Sequence, residues 1–191
     1  HRTDDPDEVA TAERLVLPGV GAFRACVDEI RQRNLEAPIH EAIDRGTPFL
    51  GVCVGMQLLF ETGYEKGEHE GLGVLPGYVA HFRETGADMP DDLSVPHMGW
   101  NAIEPKRESP LLEGLGEAPH VYFVHSYHPV AEVPDDVLAT TTYGHEFPSV
   151  VQRENVFGVQ FHPEKSQSAG LGLLENFATL PQSSRRERTA A

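Results

Sequence analysis

Three side chains in this sequence have the types and spacing for nucleophilic and acid–base chemistry. In "VFGVQFHPEKS", residues 156–166, His162 and Glu164 stand two positions apart around Pro163, at the end of an apolar run. Residues i and i+2 of an extended segment point to the same side, and Pro163 biases His162 toward extended backbone. A carboxylate beside an imidazole holds its tautomer and stabilises its charged form. The same two residues also fit a strand end carrying a pair of solvated polar groups. "LGVCVGMQLL" decides between these readings, because it supplies a nucleophile. Cys53 falls between an apolar strand and a helical pattern, inside Gly51-x-Cys53-x-Gly55. Flanking glycines let the backbone crowd into a sharp strand-to-helix turn, the nucleophile elbow. At a helix N-terminus the macrodipole favours thiolate over thiol, and the Val54 amide would point at a developing oxyanion. A lone cysteine is more often a small buried apolar residue. Cys26, within an amphipathic helical pattern, fits that description, whereas Cys53 with its glycines reads as part of a Cys–His–Glu system.

The elements that must position these residues follow from periodicity. "DDPDEVATAE" predicts a short helix with Asp5 as N-cap and Pro6 at the first helical position. "RLVLPG" predicts a strand, residues 21–34 and 38–45 predict helices, and Gly46 stops the second. "TPFLGV" reads as a buried strand and "VGMQLLFE" as a helix ended by Gly63. From residue 72 short β-like runs follow closely: "GYVAHF", "VYFVHSY", "VLATTTY", "SVVQRE" and "VFGVQFH". Residues 167–180 predict a closing helix. The fold expected is α/β: three layers, a mainly parallel sheet flanked by helices with a nucleophile elbow, and antiparallel strands in the C-terminal half. Residues 1–180 form one domain, and 181–191, "PQSSRRERTAA", read as a disordered tail.

Composition narrows the function classes. A chain of 191 residues with 39% hydrophobic content can bury a core, and no apolar run approaches membrane-spanning length. The first ten residues carry no signal-peptide pattern. Two cysteines are too few for a disulfide framework, so a reducing, cytoplasmic setting is expected. The formal charge of −15, from 30 acidic and 15 basic residues, disfavours nucleic-acid binding by the bulk surface. Lysine is sparse, with only Lys66, Lys106 and Lys165, which points to adaptation to high salt. His125 and His128 are three apart on a strand-like segment and are expected on opposite sides. With no carboxylate or cysteine at zinc-site spacing, no metal site is expected.

"PGVGAF", "GVCVGMQ" and "GVQFHPEKS" together resemble the class I (triad) glutamine amidotransferases. Within that family, "VPHMGWN" and "YFVHSY" resemble the glutaminase subunits of imidazole glycerol phosphate synthases. The resemblance covers roughly residues 4 to 180 in the family's order. It implies hydrolysis of the glutamine side-chain amide through a Cys53 thioester, with His162 shuttling the proton and Glu164 orienting it, and no cofactor. It further implies oxyanion contacts at Gly19, Val20 and Val54, and glutamine contacts at Gln57 and the backbone of Ser126 and Tyr127. Trp100, Asn101, Tyr122 and Lys165 would face a partner, the cyclase (β/α)8-barrel subunit that receives the ammonia. Core packing is the competing assignment for Trp100 and Tyr122. Family members carry a strand, an Asp-Tyr-Gly…Gly-Asn loop and a helix ahead of the region matching Asp4. This sequence does not contain them, so either its start is incomplete, or the sheet lacks that strand and the interface lacks that loop. Three alternatives stay open: a triad glutaminase serving anthranilate, GMP or pyridoxal phosphate synthesis, a non-catalytic interaction subunit, and a cysteine peptidase or amidase on a related fold.

Overall fold

The structure is a computed structural model, described here for residues 1–182; most of the expected tail, 183–191, lies outside the described residues. The elements run α1 (Pro6–Thr11), β1 (Leu15–Gly19), α2 (Phe23–Gln32), α3 (Glu36–Asp44), β2 (Phe49–Cys53), α4 (Val54–Gln57), β3 (Phe60–Gly63), β4 (His69–Glu70) and β5 (Leu75–His81). They continue with β6 (His97–Ala102), β7 (Glu104–Pro105), β8 (His120–His125), β9 (Tyr127–Ala131), β10 (Val137–Tyr143), β11 (His145–Arg153), β12 (Val156–Val159) and α5 (Gln167–Thr179).

Local chemistry accounts for most boundaries. The Asp5 carboxylate accepts from the amides of Asp7 and Glu8 and Pro6 opens α1, as expected from the sequence. Gly46 ends the region of α3 at φ 90°, where a side chain would be strained. The structure departs from the sequence reading after Cys53. The helix expected to run to Gly63 is a single turn, and Phe60–Gly63 is a strand. Leu58, Leu59 and Phe60 are all buried, so this stretch satisfies a fully buried strand as well as a helix. Tertiary pairing decides: β3 lies parallel to β5, with Phe60 beside Leu75 and Gly63 beside Val79. "VYFVHSY" likewise splits, with β8 and β9 separated at Ser126.

A six-stranded sheet in the order β1-β2-β12-β11-β10-β7 forms the centre. β1, β2 and β12 are mutually parallel, and the remaining pairings are antiparallel. Every residue of β2 and of β12 is buried, as expected of strands covered on both faces. A four-stranded sheet, β4-β3-β5-β9, and a two-stranded one, β6-β8, stand beside it. The parallel strands end together: Gly19 is level with Cys53, and Val159 with Val52. The chain therefore leaves β1, β2 and β12 at one edge of the sheet. Open parallel sheets place their ligand crevices at this carboxyl edge.

Candidate active site

Cys53 is the last residue of β2 and takes φ 54°, ψ −113°, a conformation that L side chains rarely adopt. Close packing holds it there. A Cβ on Gly55 would lie 1.9 Å from the carbonyl oxygen of Leu17, and one on Gly51 would lie 2.5 Å from that of Gly55. Only glycine lets β1 and the turn after Cys53 approach this closely. The elbow is thus built as its sequence indicated, while its electrostatics differ. One helical turn offers little dipole, and Cys53 is only 5% exposed. Burial pushes its thiol up to about 11, against the expectation of a favoured thiolate. Hydrogen bonds from the Val54 amide and from Gln160 oppose that rise, while the charge of Glu164 and the neighbouring Cys26 add to it.

His162 follows β12 by three residues. Its amide donates to the Tyr122 carbonyl at 2.9 Å, and its own carbonyl accepts from Ser166 Oγ at 2.6 Å. His162 is extended, at φ −99°, but Glu164 is not: Pro163–Lys165 form a 3₁₀ turn. The pair meets through this turn rather than along a strand, with His162 Nδ1 2.9 Å from Glu164 Oε1. A carboxylate only accepts, so Nδ1 carries the hydrogen and Nε2 keeps its lone pair.

Cys53 and His162 line one cleft of about 420 Å³ with Val20, Gly21, Val54, Gln57, Glu65, Ser126, Tyr127 and Lys165. Gly19, half-buried at the end of β1, packs against the elbow, where a Cβ would lie 2.5 Å from the Gly55 amide nitrogen, and Val20 beyond it is 78% exposed. Gln57 is buried and its Nε2 donates to the Tyr127 carbonyl and to Gln160 Oε1, each at 3.0 Å. The Ser126 carbonyl accepts from the Phe82 amide.

Beside the cleft, Trp100 and Tyr122 are cross-strand neighbours on β6 and β8, with ring centroids 6.1 Å apart. Trp100 is 47% exposed, which excludes core packing for it, and Met98 two residues earlier is also exposed. Lys165 Nζ lies 5.9 Å from the Tyr122 ring centroid. Asn101, next to Trp100 on β6, is half-buried. Its Nδ2 donates to the Thr142 carbonyl at 3.0 Å and lies 3.4 Å from His97 Nε2.

Two further expectations change. Cys26 is half-buried rather than enclosed, and its thiol donates to the Val20 carbonyl at 3.5 Å, beneath the exposed loop. His125 and His128 do not diverge, because the chain turns at Ser126. Both pack against Phe82, with ring centroids at 5.2 and 4.7 Å. His97 Nδ1 lies 3.2 Å from His125 Nε2, and His145 Nε2 lies 3.0 Å from His128 Nε2. Among the described residues no group of three histidine, cysteine or acidic side chains could hold a metal ion.

Glu65 and Gln160 join the site without having been singled out in the sequence. Glu65 is one of several acids in "ETGYEKGEHE", and nothing local separates it from the others. Its Oε2 accepts from the Phe23 amide at 2.8 Å, at the start of α2 where no side-chain cap is present. Gln160 did carry a signal, because it stands two residues before His162 on an extended run.

A family profile described as "Glutamine amidotransferase class-I" matches residues 1–180. The chain is 78% identical over 191 residues to the imidazole glycerol phosphate synthase subunit HisH of Salinibacter ruber, covering all of this chain and 88% of that protein. The HisH subunit of Aquifex aeolicus is 49% identical over 175 residues, 92% of this chain and 81% of the other. A solved glutamine amidotransferase superposes with a TM-score of 0.66 at 22% identity, covering 93% of this chain and 85% of that one, and shares the fold.

Proposed function

This chain belongs to the class-I glutamine amidotransferase family, and from that premise we propose that it is the glutaminase subunit of an imidazole glycerol phosphate synthase, acting in histidine biosynthesis. The observation that carries the reading is the shared cleft: Cys53 and His162 line it together, and Glu164 engages the outer nitrogen of His162. Cys53 sulfur attacks the side-chain amide carbon of glutamine as its proton passes to His162 Nε2. His162 returns a proton to the departing nitrogen, so ammonia leaves and a γ-glutamyl thioester remains. Water, deprotonated by His162, then cleaves the thioester to glutamate and restores the thiol. The Val54 amide supplies one oxyanion donor, and the Gly19–Val20 loop supplies the second. Glutamine enters as a zwitterion. Glu65, the carboxylate lining the cleft, suits its ammonium group, with Gln57, Ser126 and Tyr127 around the rest.

The partner is the cyclase, a (β/α)8 barrel that consumes the ammonia. The exposed Met98–Trp100 face, Tyr122 and Lys165 adjoin the mouth of the cleft and suit a surface that closes over it. No helix among the described residues is long and apolar enough to cross a membrane. A cytoplasmic setting fits two unbridged cysteines, and the −15 charge fits high salt.

The test is glutamine hydrolysis by this chain, alone and with the cyclase subunit and its nucleotide ligand. Weak activity alone and strong activation in the complex are expected, because the exposed Val20 loop needs a partner to aim its donor. One misaimed donor costs roughly a hundred- to a thousandfold in rate. Activation only by a synthase making anthranilate, GMP or pyridoxal phosphate would move the chain to another branch of the family. No hydrolysis with any partner would leave a non-catalytic subunit, and peptide cleavage would overturn the amidase chemistry.

A further inference from the structure

Gln160 is fully buried, with its amide donating to the Ser149 carbonyl at 2.9 Å just beyond β12. Its side chain touches nothing in solvent. Nε2 lies 3.7 Å from Cys53 Sγ, and Oε1 lies 3.0 Å from Gln57 Nε2. Amide groups can be turned end for end, so the direction of this contact has to be argued from its neighbours. The anchor is the Tyr127 carbonyl, which can only accept. Gln57 Nε2, 3.0 Å away, must face it. The second hydrogen of the same amino group then points at Gln160, which must answer with its oxygen. That leaves the Gln160 amino group facing the sulfur. Turned the other way, Gln160 would set two amino groups against each other and present an oxygen to the nucleophile.

We propose that Gln160 is a hydrogen-bond donor to the Cys53 nucleophile, aimed by a relay that runs from the Tyr127 carbonyl through Gln57. A neutral donor suits this position. Sulfur buried to this degree has lost the water that would solvate its anion, and a fixed donor in a dry site replaces that water without adding a charge. The Val54 amide also favours the thiolate of Cys53 from the backbone. The two donors act from different segments, one on the elbow and one just past β12 on the stretch that leads to His162. Gln160 therefore ties the nucleophile to the segment that carries its base. The inference deepens the glutaminase reading but does not need glutamine to be tested.

The experiment follows alkylation of Cys53 by iodoacetamide from pH 7 to 11 in a Cys26→Ser background, with the folded state checked by thermal melting. Gln160→Met keeps the length and removes the donor. Its alkylation profile is expected to move up by about one pH unit, a tenfold slower reaction at a fixed pH below the midpoint. Gln57→Leu keeps Gln160 but releases its amide, and a smaller upward shift is expected. In the complex with the cyclase, Gln160→Met should lower kcat with KM little changed. A folded Gln160→Met protein with an unshifted profile would overturn the proposal. Should that variant fail to fold, an unshifted Gln57→Leu profile would overturn it equally. A shifted profile in a protein that hydrolyses no glutamine would sustain this inference while removing the glutaminase reading.

Discussion

His162 Nδ1 and Glu164 Oε1 lie 2.9 Å apart across a boundary: the imidazole side chain is 7% exposed and the carboxylate 54%. The base is inside the protein and its orienting partner is largely in water. Solvent and salt screen a carboxylate so placed, and exposed ion pairs contribute about 1 kcal/mol or less. Glu164→Gln keeps a hydrogen-bond acceptor for Nδ1–H and removes the charge. Its turnover in the cyclase complex is expected to fall about tenfold or less. Cys53→Ala should abolish turnover without preventing assembly. A thousandfold loss in Glu164→Gln would mean that the carboxylate is enclosed when the partner binds.

The two cysteines should part company by shape rather than by acidity. Burial raises both thiols: Cys53 to about 11, and Cys26 upward with a further push from Glu65. Each is therefore a thiol at neutral pH, and alkylation of Cys53 should climb roughly tenfold per pH unit between 8 and 10. A glutamine-shaped electrophile gains orientation only in the cleft, so it should label Cys53 and spare Cys26. Peptide mapping by mass spectrometry reads the ratio. Equal labelling of the folded protein would show that the cleft does not select.

Gly55→Ala should unfold or disable the protein. The added carbon would meet the Leu17 carbonyl at 1.9 Å, and backbone cannot yield there as a flexible side chain could. The expected cost is roughly 3 kcal/mol or more, a large part of a domain's net stability. Urea denaturation measures it, and a loss below 1 kcal/mol would show that β1 and the elbow can separate.

The buried histidines predict an acid-sensitive fold. Desolvation lowers His97 and His128 to about 4 and places His125 well below its ordinary value. In the unfolded chain each titrates near 6.5. As pH falls through 6.5 the unfolded state gains protons that the fold refuses, so stability drops from there, the His97 and His128 contributions being lost by about 4. Each tenfold difference in proton affinity is worth about 1.4 kcal/mol. Denaturant midpoints at pH 7.5, 6 and 5 should fall in that order, above the range where most carboxylates titrate. His128→Gln should flatten the slope. A flat profile in the unmodified chain would mean that these rings are protonated in place.

What the sequence determined by itself was local. Pro163 after His162, the glycines around Cys53 and Pro6 after Asp5 restrict backbone angles within a few residues, so the elbow and the first helix could be read directly, and so could the closeness of His162 and Glu164, though through a 3₁₀ turn rather than along a strand. A parallel sheet flanked by helices also followed, because strand and helix patterns alternate through the first sixty residues. Tertiary structure decided whatever depends on distant neighbours. It cut the helix after Cys53 to one turn, since Phe60–Gly63 pairs with β5 rather than adding another helical turn. It tied Asn101 to the Thr142 carbonyl, and it brought His125 and His128 together by breaking the strand at Ser126. It also chose Glu65 from among equivalent acids, because only the packing of β3 and α2 brings that carboxylate to the cleft. The thiol of Cys53 shows the division most clearly. Its position was written in the spacing of two glycines, while its proton affinity was set by how much water the folded chain removes from around it.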